Sequence, residues 1–401
     1  MGEDTKEVTY KKAILKQLYF HNSLSCAELS DNISKSVPLT TRILNELIEE
    51  GNVVETGYAP SNGGRRPLMF SLKPNVAYIV SVAMDQFVTR IVIIDSKNHY
   101  ATEIESVELP LTKSPDALNT ISKRIQKIIA KSGIAKEKII GVGVGMPGFV
   151  DFKKGINYTF LQIKNSESIA DYLSSELELP VFIDNDSSLI GLAELRFGSA
   201  RNKNNAMVIN MGWGVGLGMI LNGSLFRGQN GFAGEFSHIP LFTNGRLCGC
   251  GKTGCLETET SLSVIVEKAR KGLSEGKASE LNKSLLTAEH PHQSCEAVTA
   301  AARSGDRFAV QLFSESAYTI GRGVAILIHL LNPDIIILSG RGSLAGKVWE
   351  APIQHALNEH CIPRLAANTE IEISSLGYEA ELIGAAALVM ENYGKISSKQ
   401  N

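Results

Sequence analysis

Four residues with metal-ligating side chains lie within an 18-residue stretch: His238, Cys248, Cys250 and Cys255. Thiolates and imidazoles are preferred zinc ligands, and three thiolates with one imidazole fill a tetrahedron without leaving an open position. Three glycines separate the cysteines and let the backbone fold tightly around an ion. The spacing predicts one structural zinc per chain; the alternative is a cluster of free or disulfide-paired cysteines.

Two glutamates lie beside this cluster in the sequence. Glu235 and His238 are three residues apart, so on a helical turn they share a face, and a zinc-bound His238 places a carboxylate beside the metal. Glu257 follows Cys255 by two residues. Carboxylates accept hydrogen bonds from vicinal hydroxyls, which favours a polyol ligand. The alternative is that both glutamates are solvated.

A third polar motif, Asp184-Asn185-Asp186, directly follows the apolar segment Val181–Ile183. Ligands of α/β sheets bind at the carboxyl ends of strands. A carboxylate at that position acts as a general base on a hydroxyl or simply binds it. The alternative is an Asx turn that leads into a helix over Ser187–Phe197.

Composition excludes several classes of protein. The 401 residues are 43% hydrophobic and 20% charged, which rules out collagen-like and wholly disordered chains. No apolar run approaches the ~20 residues that span a bilayer, and the N-terminus lacks the apolar core of a signal peptide. We therefore expect a cytoplasmic protein with reduced thiols. The net charge of −2 does not by itself indicate a nucleic-acid partner.

Residues 1–73 read as three short helices and a hairpin. Ser25 and Glu28 form a capping box at the start of the second helix. A third helix begins near Ser36, and its apolar positions recur with helical spacing. Two strands follow, joined by a glycine- and arginine-rich tip. This pattern predicts a winged helix-turn-helix.

Residues after Pro74 alternate between strand-like and helix-like segments, which predicts α/β architecture with two lobes around a cleft. The predicted domains are 1–73, a first lobe at 74–190 completed by a C-terminal helix at 382–401, and a second lobe at 191–381 that carries the zinc site and an oligomerisation surface. A long helical stretch is predicted over Ser294–Leu331.

The motifs together resemble the ROK family of repressors, open reading frames and sugar kinases, over residues 1 to about 393. The resemblance is carried by 184–186, Gly231–His238, the Cys248–Cys255 cluster with Glu257, and Met146-Pro147-Gly148. It implies two actin-like, ribonuclease-H-like lobes, and zinc on the four ligands named above. Asp186 matches the catalytic base of the family's kinases. The residues implied to hold sugar hydroxyls are Asn185, Asp186, Glu235, His238 and Glu257.

One departure from the kinase pattern bears on activity. Kinases of the family carry Asp-x-Gly-Gly-Thr in the first strand hairpin, where this chain has Ala83-Met84-Asp85-Gln86-Phe87. Both glycines are gone, and Asp85 adds negative charge where a phosphate would lie. Trp213 also replaces a usual threonine in the second phosphate loop. We therefore expect a non-enzymatic regulator; the alternative is an ATP-dependent sugar kinase with an appended DNA-binding head.

The head resembles that of the family's N-acetylglucosamine and glucose repressors. Thr41, Arg42 and Asn45 lie off the apolar stripe of the third helix and are predicted to face a major groove. Arg65 and Arg66 at the wing tip suit a narrow minor groove; the alternative is a solvated basic loop. The expected partners are operator DNA and a sugar or sugar-phosphate effector, and the expected assembly is a homodimer or homotetramer.

Overall fold

The computed structural model describes residues 3–60, 66–112, 114, 116–161, 163, 168–287 and 289–395. Residues 3–60 and 66–72 form three helices and a three-stranded antiparallel sheet in the order β1-β3-β2. These elements are α1 (Glu3–His21), β1 (Leu24–Ser25), α2 (Cys26–Asn32), α3 (Val37–Glu49), β2 (Val53–Tyr58) and β3 (Leu68–Leu72). This is the winged-helix arrangement that the sequence predicts.

Local sequence signals explain the head's helices. The Ser25 backbone N–H donates to Glu28 Oε2 at 2.7 Å, and the Glu28 N–H donates to Ser25 Oγ at 3.3 Å, which completes the predicted capping box. Pro38 occupies the first turn of α3, where its missing N–H leaves no hydrogen bond unmade. The predicted stripe of α3 is buried at Thr40, Ile43, Leu44 and Leu47.

The next strands form a five-stranded sheet in the order β10-β7-β4-β5-β6. β10, β7 and β4 are parallel, and β5 and β6 are antiparallel to their neighbours. The elements of this first lobe are β4 (Tyr78–Met84), β5 (Val88–Asp95), β6 (Glu105–Glu108), α4 (Ala117–Ser132), β7 (Ile139–Met146), β8 (Val150–Asp151), β9 (Ile156–Asn157), α5 (Ile169–Leu177), β10 (Val181–Asn185) and α6 (Asp186–Phe197).

A second five-stranded sheet repeats the same connectivity in the order β13-β12-β11-β14-β15. Two lobes with equivalent strand orders confirm the predicted α/β fold class. The elements of the second lobe are β11 (Ala206–Met211), β12 (Val215–Leu221), β13 (Ser224–Phe226), α7 (Glu257–Thr260), α8 (Leu262–Ser274), α9 (Pro291–Arg303), α10 (Arg307–Leu331), β14 (Ile335–Ser339), α11 (Glu350–His360), α12 (Pro363–Ala366) and β15 (Glu370–Ile373), followed by α13 (Ala380–Asn392).

The helical stretch predicted over Ser294–Leu331 consists of two helices, α9 and α10. Gly305 adopts a positive φ of 89°, which ends the first helix in a conformation that glycine tolerates best. The Asp306 side chain then accepts a hydrogen bond from the Ala309 N–H and caps the second helix.

Helix α13 packs against β4, β7 and α6, so the end of the chain returns to the first lobe. The predicted boundary at 190/191 falls inside α6, and the domain limits stay predictions. None of the helices in the described ranges combines the length and apolarity that crossing a lipid bilayer requires.

Candidate functional site

A cleft of about 390 Å³ lies where the carboxyl ends of strands from both sheets meet. Asp85 follows β4, Asp186 follows β10 and Arg341 follows β14, and all three line the cleft. The five residues predicted to hold a sugar also line it: Asn185, Asp186, Glu235, His238 and Glu257.

Asn185 and Asp186 lie at the start of α6, and their side chains make different contacts. The Asn185 side-chain oxygen accepts hydrogen bonds from the N–H groups of Ser187 and Ser188 at 3.0 and 3.2 Å, and its amide donates to the Gly148 carbonyl at 3.1 Å. Asn185 therefore fixes the start of the helix against the neighbouring loop. Asp186 keeps a carboxylate toward the cleft, and burial raises the pKa of that group to about 6.

Two partners of this motif are not evident from sequence spacing. Arg227 donates to Asp184 Oδ2 through both Nε and Nη2, at 2.8 and 2.7 Å, and so pairs a buried carboxylate. Asn210, at the end of β11, donates to Asp186 Oδ2 at 3.3 Å. Both Arg227 and Asn210 lie near the ends of strands in the second lobe. That position does not indicate which residue either side chain contacts.

The four predicted metal ligands come together, with all ligand atoms within 4.8 Å of one another. Cys248 Sγ lies 3.6 Å from His238 Nδ1, and Cys250 Sγ lies 3.7 Å from Cys255 Sγ. A zinc tetrahedron with Zn–S of about 2.3 Å and Zn–N of about 2.0–2.1 Å has S–N edges of about 3.6 Å and S–S edges of about 3.8 Å. The cluster is therefore compatible with one zinc.

His238 connects this cluster to the cleft. Its Nδ1 faces Cys248, and its Nε2 lies 3.6 Å from Glu235 Oε2. A metal on Nδ1 leaves the hydrogen on Nε2, so the imidazole presents a donor to the cleft side. The predicted shared face of Glu235 and His238 forms in a short 3₁₀ turn over Phe236–His238.

Glu257 reaches the same cleft from the start of α7. Its Oε2 accepts a hydrogen bond from the Val215 N–H at 3.3 Å. A Cβ at Gly214 would lie 2.4 Å from that oxygen, so only glycine lets the loop approach the carboxylate so closely. The glycine run after β11 therefore positions an acidic side chain.

In the turn between β4 and β5, the carboxylate of Asp85 accepts hydrogen bonds from the backbone of the same turn. Asp85 Oδ1 accepts hydrogen bonds from the N–H groups of Phe87 and Val88, each at 2.8 Å. Its other oxygen accepts from Arg341 Nη2 at 3.0 Å across the cleft. Asp85 is thus paired with Arg341, and its repulsion of a phosphate stays a prediction. The turn amides are in addition occupied by the protein's own acceptor.

Aromatic contacts surround this ion pair and join the two lobes. The rings of Phe87 and Trp213 meet edge to face with centroids 4.9 Å apart. The Arg341 guanidinium lies 4.4 Å from the Tyr378 ring and 5.7 Å from the Trp213 ring. We call Asp85, Phe87, Trp213, Arg341 and Tyr378 the cross-lobe cluster. The sequence analysis gives no indication of this role for Arg341.

The predicted DNA-contacting residues lie apart from the cleft. Thr41, Arg42 and Asn45 are exposed on α3, and Arg66 is exposed on the loop before β3. Arg42 Nη1 lies 3.1 Å from Glu7 and 3.2 Å from Glu46 carboxylate oxygens. Such exposed pairs contribute only about 0–1 kcal/mol, so a phosphate could replace them. Arg65 lies outside the described residues.

Comparison with known proteins places the chain in a family. The family model described as "ROK family" matches residues 82–392. The chain belongs to the ROK family. Its relatives include both of the family's activities, namely regulators and kinases.

Three relatives illustrate this range. A xylose repressor of Caldicellulosiruptor bescii is 27% identical over 98% of each chain. A glucokinase of Halalkalibacterium halodurans is 35% identical over 72% of this chain and 88% of its own. A crystal structure of a ROK family transcriptional regulator, a homologue of the E. coli MLC protein, superposes with a TM-score of 0.75 over 97% of both chains at 22% identity. The repressor match extends over the winged-helix head.

Proposed function

We propose that this protein is a sugar-responsive transcriptional repressor, which binds operator DNA through its winged helix and a sugar or sugar phosphate in the cleft. The observation that carries the proposal is the Asp85 turn. The protein has a polar cleft and a winged-helix head, but the backbone amides of the turn that matches a kinase phosphate loop already donate hydrogen bonds to Asp85. The full-length match to a xylose repressor supports the same function.

The cleft supplies complementary groups for a sugar. Asp186, Glu235 and Glu257 accept hydrogen bonds from hydroxyls, and His238 Nε2–H donates one. Asn185 holds the loop and helix that carry Asp186. The relatives suggest D-xylose and D-glucose as first candidates, and the resemblance to N-acetylglucosamine repressors adds N-acetyl-D-glucosamine and its 6-phosphate.

One zinc held by His238, Cys248, Cys250 and Cys255 is part of this proposal. The ion would supply rigidity, because a fully ligated tetrahedral site leaves no position for substrate. It would hold the imidazole in one orientation and fix its tautomer. We therefore propose that zinc fixes the shape of the sugar site without contacting the sugar.

The proposed partner of the head is a two-fold operator, which calls for a homodimer or homotetramer. Thr41, Arg42 and Asn45 are proposed to read bases, and Arg65 and Arg66 to enter the minor groove. The test of the whole proposal has two steps. A thermal-shift screen with the candidate sugars identifies the effector. Operator titrations with and without that sugar then measure the response; an unchanged operator affinity with every candidate contradicts the proposal.

Replacing both wing arginines, Arg65→Ala with Arg66→Ala, should weaken operator binding and flatten its salt dependence. Two fewer positive charges near phosphates lower the slope of log K against log salt by roughly one to two units. Sugar affinity should not change, because the cleft is elsewhere. Anisotropy titrations over a range of salt concentrations measure the slope.

The matched control removes two exposed basic residues from α8, Arg270→Ala with Lys271→Ala, and should leave the slope unchanged. A wing variant that binds operator like the wild type at every salt concentration would show that the wing does not touch DNA.

The second candidate function is an ATP-dependent sugar kinase with a DNA-binding head. It is favoured by the glucokinase relative and by Asp186, whose pKa of about 6 suits a general base. The occupied Asp85 turn opposes it. The two functions differ in whether the cleft turns over ATP.

We expect turnover with ATP and D-glucose, D-xylose or N-acetyl-D-glucosamine to stay below about 1 s⁻¹, the low end for enzymes. The physical reason is that the amides of Phe87 and Val88 already have an acceptor in Asp85. A coupled ADP-release assay on the full chain measures this. Faster turnover that disappears in Asp186→Asn would establish a kinase, since the variant separates activity of this cleft from contaminants.

A further inference from the structure

Helix α6 has one end in the cleft and the other against the winged-helix head. Its first residue, Asp186, lines the cleft. The ring of its last residue, Phe197, lies 5.8 Å from the ring of Tyr19 and 6.0 Å from that of Phe20, both in α1. At about 1.5 Å per residue, the helix spans about 18 Å between the two sites. Helix α6 therefore connects the two sites directly.

Charged groups strengthen the contact at the head end. The Arg196 guanidinium lies 4.6 Å from the Phe20 ring centroid and pairs with Glu391 near the end of α13. Lys16 of α1 reaches the same glutamate, with its Nζ 3.2 Å from Glu391 Oε2 and 2.9 Å from the Glu391 carbonyl oxygen. These interactions tie α1, α6 and α13 together. We call them the head contact: Lys16, Tyr19, Phe20, Arg196, Phe197 and Glu391.

Close packing along α6 restricts it to moving as a unit. A Cβ at Gly384 of α13 would lie 2.0 Å from the Leu189 carbonyl oxygen, so the two helix backbones touch. On its other side, a Cβ at Gly191 would lie 3.1 Å from the Gly218 Cα of β12. Such contacts leave little room for bending. A shift at the Asp186 end would therefore reach Phe197 rather than be absorbed between them.

We propose that α6 transmits sugar binding to the head, with Phe197 and Arg196 as positioning residues at the head contact. This inference rests on the proposed function. Sugar held by Asp186 favours one position of α6, and that position sets where α1 holds the winged helix. The sugar then changes operator affinity by as much as its own affinity differs between the two positions. By linkage, operator DNA changes sugar affinity by the same factor.

The experiment measures this coupling factor in the full chain. The probes are a DNA duplex selected from random sequence by the wild-type protein, and D-glucose, D-xylose, N-acetyl-D-glucosamine and its 6-phosphate. The factor is the ratio of operator Kd with and without saturating sugar, and typical values are about 5–150-fold. Phe197→Ala should reduce it to below about 2-fold. Operator Kd without sugar and sugar Kd without DNA should each stay within about threefold of wild type, since neither site is altered.

Two further variants keep the inference testable if Phe197→Ala does not fold. Arg196→Gln removes the charge from Phe20 and Glu391 at similar size and should also lower the factor. Phe197→Tyr keeps the ring and should retain the wild-type factor. The matched control is Lys11→Gln, which removes the ion pairs that α1 makes with Glu46 and Glu50 inside the head and changes no residue of the head contact.

The outcomes separate the inference from the proposed function. A wild-type protein that binds no probe sugar, or binds one without any change in operator Kd, overturns both. A responsive wild type whose Phe197→Ala and Arg196→Gln variants keep the full factor overturns only the role of α6. Equal loss in Lys11→Gln also overturns it, because any disturbance of the head would then suffice. Loss confined to the α6 variants supports it.

Discussion

Replacing Cys250 with serine is expected to release the zinc and to weaken sugar binding by about 100-fold. A hydroxyl is a much poorer zinc ligand than a thiolate, and the remaining three ligands no longer close a tetrahedron. His238 then loses its fixed orientation. Glu235, whose Oε2 lies 3.6 Å from His238 Nε2, loses its contact with that imidazole. Two weakened hydrogen bonds of up to about 1.5 kcal/mol each correspond to a change of that size.

Metal analysis of the purified full chain measures the first effect and isothermal titration with sugar measures the second. We expect about one zinc per chain for wild type and nearly none for the variant. Cys26→Ser is the matched control, because this partly exposed thiol lies in the head, away from the cluster. Unchanged zinc stoichiometry in a variant with serine at Cys248, Cys250 and Cys255 together would refute the assignment.

If the proposed function is right, replacing Asp186 with alanine should give a protein that binds operator normally and ignores sugar. A hydrogen bond to a charged group contributes roughly 1.5–3 kcal/mol, and Asp186 accepts from the ligand in our proposal, so sugar affinity should fall by about 100-fold. The winged helix is not changed, so operator affinity without sugar should equal that of wild type. Paired operator titrations and calorimetry measure the two affinities.

Asp171→Asn is the control, since this carboxylate is exposed on α5 and lies outside the cleft. A full sugar response in Asp186→Ala would mean that the sensor is elsewhere. Together with the wing variant, this change gives the reciprocal pattern expected of two sites coupled through a conformational equilibrium.

The same carboxylate predicts how sugar binding depends on pH. Burial raises the pKa of Asp186 from an ordinary value near 4 to about 6, against the opposing hydrogen bonds from Ser187. Burial therefore disfavours the charged form of Asp186 in the sugar-free protein. The folding stability that its protonation contributes is present at low pH and is lost as the pH rises through about 6. Sugar hydroxyls prefer the charged acceptor, so affinity should be full above about pH 7 and fall below about pH 6. The decline should be smaller in Asp186→Ala, where Glu235, whose pKa is also raised by burial, still lines the cleft.

Features encoded within a few residues were predictable from the sequence. The capping box of Ser25 and Glu28, the buried stripe of α3 and the strand before Asp184-Asn185-Asp186 all depend on neighbours along the chain. The metal cluster belongs to the same class, because its three cysteines lie on one short loop and only His238 comes from outside it. The division of the predicted helical stretch into α9 and α10 also has a local signal, at Gly305-Asp306.

The ion pairs in and beside the cleft join residues that are far apart in the sequence, and only the tertiary structure determines them. Asp85 and Arg341 are 256 residues apart, and Arg227 reaches Asp184 from 43 residues away. A sequence states that these charges exist, but their partners depend on how the two sheets face each other across the cleft. The same holds for Phe197, which reads as the end of an ordinary helix and meets the head only because α1 packs beside it. Residue types and local spacing thus determined which chemistry the protein carries, whereas the packing of two lobes and a head determined which groups are paired and which remain free to bind.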